Sequence, residues 1–171
     1  MTRSPFVVGV AELLRRPGTQ RELDVVGPLP GLATTIAAVP DDADVDAHLM
    51  LESILDGAVT VTGSISAPWA GECRRCLRNV EGLLVTEVRE VYAPPKSAPS
   101  EDDETYPLTG DLVDLEPLVR DAVLLALPLA PLCDDGCAGP DPDAHPVRVA
   151  GEGDDDAPLD PRWAALGELE L

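Results

Sequence analysis

Four cysteines stand in two close pairs, Cys73-Arg-Arg-Cys76 and Cys133-Asp-Asp-Gly-Cys137, with the 56 residues 77–132 between them. Nothing else in the sequence restricts the fold as much. Two thiols two or three residues apart can turn toward one centre, and two such pairs around one tetrahedral ion would bring distant segments together. Gly136 eases the turn of the second pair. Zinc favours four thiolates, and Arg74 and Arg75 beside the first pair would offset their negative charge. Three readings of the thiols stay open: structural Zn2+ held by Cys73, Cys76, Cys133 and Cys137, unliganded core cysteines, or a redox pair. The last fits poorly, because this CxxC follows a hairpin and not the strand-to-helix turn of a βαβ unit. His145 could replace a thiol, but with no partner at a recognised spacing it reads as a loop residue.

The apolar pattern around the cysteines supplies the rest of the architecture. His48 to Leu55 and Ala58 to Ser66 flank Asp56-Gly57, and Val59, Val61, Gly63 and Ile65 alternate with Thr60, Thr62 and Ser64. Asp-Gly takes the positive φ of a type I′ turn readily, which predicts a β-hairpin. Val80 to Tyr92 reads as a third antiparallel strand, so the first cysteine pair falls in the connection between two strands. Earlier in the chain, Phe6–Val8, Arg21–Val26 and Thr34–Val39 read as short strands and Val10–Arg16 as a short helix ending at Pro17-Gly18. After a Pro-rich stretch, Asp114 can cap a helix in which Leu115, Leu118, Val119, Ala122, Leu125 and Ala126 recur at helical spacing. Pro117 falls in its first turn and Pro128 ends it.

The expected fold is α+β: an antiparallel β-meander sheet, open or curled toward a partial barrel, covered by one main helix. A four-cysteine knuckle joins sheet and helix. The 171 residues fit a single domain, 1–171. Within it, 94–110 reads as an acidic, Pro-rich linker, 140–159 as an acidic flexible segment, and 160–171 as a short C-terminal helix capped by Asp160, with Trp163 facing inward.

Charge restricts the partners. Twelve basic against 32 acidic side chains leave −20, and such a field repels phosphate over most of the surface. The acidity is uneven: residues 60–92 and 117–132 are neutral, while 93–116 carry −6 and 133–171 carry −9. The clusters 101–104 and 152–156 lie among Pro, Gly and Ser, a composition that stays solvated. A nearly neutral body remains, leaving room for a local contact by Arg74, Arg75 and Arg78, with Arg89 beside them, on RNA phosphate. Four arginines make a small patch, and they read more readily as a solvated face or as counter-charges to the thiols. An acidic surface points more directly to a basic protein partner, met quickly and in a salt-sensitive way.

No signal peptide is expected, since no apolar stretch of adequate length precedes Glu12, and the apolar run Leu118 to Leu132 is interrupted by Arg120, Asp121, Pro128 and Pro131. The expected compartment is the cytoplasm, where thiols stay reduced. No Walker loop, GxGxxG, GxSxG or HExxH is present. Two histidines, His48 and His145, nominate no base. Acidic clusters in linkers lack the rigid placement that two-metal nuclease chemistry requires. An enzyme, a small-molecule substrate and a membrane partner are all unexpected.

The motifs also carry a resemblance. Cys-Arg-Arg-Cys-Leu at 73–77 after a glycine-bearing hairpin comes first, then Asp-Leu-Glu-Pro-Leu-Val-Arg-Asp-Ala-Val-Leu-Leu-Ala-Leu-Pro at 114–128. Pro-Leu-Cys-Asp-Asp-Gly-Cys-Ala-Gly at 131–139 and Asp-Pro-Arg-Trp-Ala-Ala-Leu at 160–166 complete the order. This order is similar to that of the YceD family, the large ribosomal RNA subunit accumulation proteins. The resemblance implies a role in ribosome assembly with no catalytic residues. It further implies a small basic large-subunit ribosomal protein or the pre-large-subunit particle as partner, with ribosomal RNA contacted directly or indirectly.

Overall fold

The computed structural model describes residues 4–94, 105–141 and 143–144. The expected helix at 160–171, most of the segment 140–159 and residues 95–104 of the expected linker lie outside the described residues. In chain order the elements are β1 (Val7–Gly9), α1 (Ala11–Leu14), β2 (Gln20–Pro28), β3 (Ala37–Ala38) and β4 (Asp44–Ser53). They continue with β5 (Val59–Glu72), β6 (Asn79–Ala93), β7 (Tyr106–Thr109), β8 (Leu112–Asp114) and α2 (Glu116–Ala126).

Alternation builds the sheet. In β4 the side chains of Val45, Ala47, Leu49 and Leu51 are buried, and in β5 those of Val59, Val61, Ile65 and Ala67. These residues line the same face, because paired positions in an antiparallel ladder point the same way. Between the two strands, Asp56 and Gly57 both take positive φ, 65° and 72°. The turn is one residue longer than a two-residue type I′ turn, since the Ile54 N–H donates to the Ala58 carbonyl at 3.0 Å around Leu55, Asp56 and Gly57. Gly63 lies opposite Leu49 at φ 148°, and a Cβ there would run into the His48 carbonyl oxygen. Only glycine lets the two strands approach this closely.

The strand order is β1-β8-β7-β6-β5-β4-β2, with β3 paired to the far half of β5, and the sheet curls into a half-barrel. Strands β4, β5 and β6 form the expected antiparallel meander. Beyond them the expectation needs correction, because β7 joins β6 in parallel, Tyr92 opposite Tyr106, and the sheet is mixed. The end of the expected 94–110 linker is therefore strand. The two tyrosine rings stack with centroids 5.2 Å apart, and each hydroxyl has an acceptor. Tyr92 donates to the Asp114 carbonyl at 2.9 Å and Tyr106 to the Asp121 carboxylate at 2.8 Å. Burial raises the pKa of both phenols above the ordinary value.

Helix α2 packs against β5 and β6 and places Leu118, Val119 and Val123 in the same core as Val61, Ile65, Leu84 and Tyr92. Asp114 accepts the Glu116 N–H at 3.1 Å, although Leu115 occupies the cap position. Leu125, expected on the buried stripe, is 87 % exposed. Leu118, seven residues earlier and roughly 20° away around the helix, is 2 % exposed, so the core covers that side of α2 at its start and not at its end. Leu127 and Pro128 end the helix as expected. Among the described residues no helix is long and apolar enough to cross a membrane.

Candidate metal centre

Strands β5 and β6 pair without a bulge over 14 residues each, from Val59↔Tyr92 to Glu72↔Asn79. The first cysteine pair forms the tip of this hairpin. The Cys73 N–H donates to the Arg78 carbonyl at 2.8 Å, and the Leu77 N–H to the Cys73 carbonyl at 2.9 Å. Turning the chain this tightly puts Leu77 in the left-handed region at φ 59°, an uncommon place for a branched side chain. The second pair follows α2. In it the Asp134 carboxylate accepts the Gly136 N–H at 2.8 Å and the Asp134 carbonyl accepts the Cys137 N–H at 3.0 Å. The Arg74 N–H donates to the Pro131 carbonyl at 2.9 Å and joins the two turns.

All four sulfurs lie within 4.8 Å of one another, a group that could hold a metal ion. Cys73 and Cys137 are buried with sulfurs 3.8 Å apart, and the Cys76 and Cys133 sulfurs are 3.6 Å apart. None is in a disulfide.

The arginines expected at a phosphate surface are placed unequally. Arg75 donates to the Cys137 carbonyl at 2.7 Å and to the Asp135 carbonyl at 3.4 Å. Arg78 donates through Nε to the Cys76 sulfur at 3.2 Å and through Nη2 to the Cys133 sulfur at 3.3 Å. Both guanidinium groups thus join the two turns. The Arg74 side chain is exposed, as is that of Arg89 on β6.

Electrostatics within the cluster are divided. The backbone of Cys76 lowers the Cys73 thiol to about 5, and the Arg78 guanidinium lowers Cys76. Cys133, facing the sulfurs of Cys137 and Cys76, is pushed up to about 12, and the sulfurs of Cys76 and Cys133 hold Arg78 protonated. Bringing all four to thiolates this close together would set them against one another, and a divalent cation would offset twice the charge that one guanidinium does.

Two features escaped the sequence reading. Pairing of Tyr92 with Tyr106 depends on a parallel crossover that no local pattern announces. Arg15, Arg16 and Arg21 fall within seven residues, a clustering that the net charge of −20 hides.

Comparison with known proteins adds a family and several relatives. The family model described as "Large ribosomal RNA subunit accumulation protein YceD" matches residues 61–170, from β5 through all four cysteines. An uncharacterized protein of Mycobacterium tuberculosis is 38% identical over 170 residues, covering 97% of this chain and 82% of the relative. One of Mycobacterium leprae is 31% identical, covering 97% and 78%. The uncharacterized protein YlbN of Bacillus subtilis is 27% identical over 113 residues, covering 64% and 63%. No solved structure matches.

Proposed function

The chain belongs to the YceD family of large ribosomal RNA subunit accumulation proteins, and on that premise we propose that it is a non-enzymatic ribosome-assembly factor acting in the cytoplasm. In this reading it supports large-subunit ribosomal RNA by binding a small basic ribosomal protein or the pre-large-subunit particle. The match over residues 61–170 carries the reading, because it spans the hairpin, α2 and both cysteine pairs. Charge favours the partner class: residues 93–116 and 133–171 together supply −15 of the −20. Such a surface speeds encounter with a basic protein and makes it salt-sensitive.

In the same reading Cys73, Cys76, Cys133 and Cys137 hold a structural zinc ion. A Zn–S bond of about 2.3 Å sets the edge of a four-sulfur tetrahedron at about 3.8 Å. Sulfur separations of 3.6 and 3.8 Å support that assignment. The ion would supply charge neutralisation and a cross-link between the hairpin tip and the segment after α2. Contact with RNA through Arg74, Arg75 and Arg78 is the weaker alternative, since two of the three guanidinium groups already bind the knuckle.

Sedimentation tests the assembly role. The protein should travel with precursor large-subunit fractions, and its deletion should lower large-subunit RNA. Absence from those fractions with normal subunits in the deletion strain would refute the role. Pull-down with and without RNase distinguishes partners, and a basic protein retained after RNase supports the protein-binding reading. Native mass spectrometry should find one zinc per chain; a folded, reduced, metal-free protein would remove zinc from the account.

A further inference from the structure

We propose that Arg15, Arg16 and Arg21 form a phosphate-contacting site through which the chain touches the RNA backbone of an assembling particle; the choice of RNA rests on the assembly reading above. Arg21 begins the argument. The second residue of β2, it lies opposite the fully buried Leu51 and therefore on the inner face of the half-barrel. Its Nε and Nη2 atoms are buried with no hydrogen-bond partner among the described residues. Two N–H groups of a half-buried guanidinium thus lack an acceptor, while the rest of the group lines a cavity where an anion can approach it. The chain carries 32 carboxylates, yet none of the described ones accepts from these two atoms.

The surroundings have the shape of a receptor. A cavity of about 260 Å³ is lined by Glu12, Leu13, Arg16, Thr19, Gln20 and Arg21, and a second of about 190 Å³ by Glu12, Arg15 and Arg16. Arg15 and Arg16 are exposed, so three cations face Glu12 alone as the acidic residue lining these cavities. Their segment is rigidly held. Thr19 bonds the Arg16 carbonyl through its hydroxyl at 2.8 Å, the Gly18 N–H donates to the Ser53 carbonyl at 2.8 Å, and the Ser53 N–H donates to the Thr19 carbonyl at 3.0 Å. The fork of an arginine matches two phosphate oxygens, and adjacent guanidinium groups suit successive phosphates of one strand. This site lies in the N-terminal part of the chain, remote in sequence from the acidic clusters at 101–104 and 152–156.

Fluorescence anisotropy of the full chain with a labelled 20-nucleotide single-stranded RNA, at 50 and 200 mM salt, tests the site. The double variant Arg15→Gln/Arg16→Gln, which alters exposed side chains only, should bind at least about fivefold more weakly, with a salt slope shallower by about 1.4. Arg21→Gln should weaken binding similarly, and Arg74→Gln should stay within about twofold of the unaltered chain. No RNA binding by the unaltered chain, full binding by the double variant, or equal competition by polyglutamate would each overturn the site. Sedimentation keeps the two claims apart. A chain that travels with precursor particles while the double variant binds RNA normally loses this site alone; a chain absent from the particles loses the assembly reading.

Discussion

The two ends of the β5–β6 hairpin are held by different chemistry. At the end nearest β7, Val59, Val61 and Tyr92 are buried at 1 % exposure or less, and the stacked tyrosines are hydrogen-bonded to the chain around α2. At the other end, no hairpin residue from Pro68 to Glu72 or from Asn79 to Leu83 is fully buried. There the apolar cover thins to the half-buried Trp69 and Ala37 of β3 opposite Gly71, and full burial in the hairpin returns only at Cys73. A hairpin that outruns its hydrophobic core needs another source of cohesion, and four sulfurs with two arginines stand where that source is needed.

If the four sulfurs hold zinc as proposed, removing it is the strongest way to break the comparison. Amide-exchange protection should fall at least about 100-fold at residues 73–79 and 131–139 and persist at Val59 to Val61. Loss of protection throughout the sheet would show that the two ends are not independent. Leu115→Ala attacks the opposite end and should cost about 2–5 kcal/mol in denaturant unfolding while zinc stoichiometry stays unchanged.

Acidity and alkalinity should separate the ends in opposite directions. Tyr92 and Tyr106 hold their protons more tightly folded than unfolded, so their contribution is full below the ordinary pKa of 10.0 and is lost as pH rises above it. Cys73 in metal-free protein is the reverse. Its contribution is full above the ordinary 9.0 and is lost as pH falls toward about 5. Unfolding of Tyr92→Phe, followed from pH 7 to 11, should show a loss of about 1 kcal/mol at neutral pH and a weaker alkaline decline. The smallest effect belongs to Leu77→Gly. With Leu77 exposed and at φ 59°, glycine should stabilise the knuckle by about 1 kcal/mol, read as a small rise in midpoint with zinc retained.

The same contrast decides what could be read from the sequence. The β4–β5–β6 meander was legible because alternation and Asp56-Gly57 are local signals, and the thiol cluster because paired cysteines announce a shared centre. Strand β7 was not, because Pro107 and the acidic residues before it have the composition of a linker. Its place depends on Tyr106 finding Tyr92, a contact between distant residues. Leu125 was misplaced because helical spacing gives the buried side of α2 but not how far along that side the core extends. The arginines beside the cysteines were legible as a charge pattern, but whether they face phosphate or sulfur is a matter of three-dimensional placement.

The parallel pairing of Tyr92 with Tyr106 means that the chain leaves the sheet and re-enters it at one level, inside the loop of residues 77–132 that the sulfurs close. Closure entropy rises only with the logarithm of loop length, so ten residues more or fewer in that loop would change it by about 0.2 kcal/mol. The acidic stretch between these two tyrosines, already near the shortest length that joins parallel neighbours, can therefore lengthen or change its charge over evolutionary time with almost no thermodynamic penalty to the sheet. Selection for a partner can act on it while the fold stays the same.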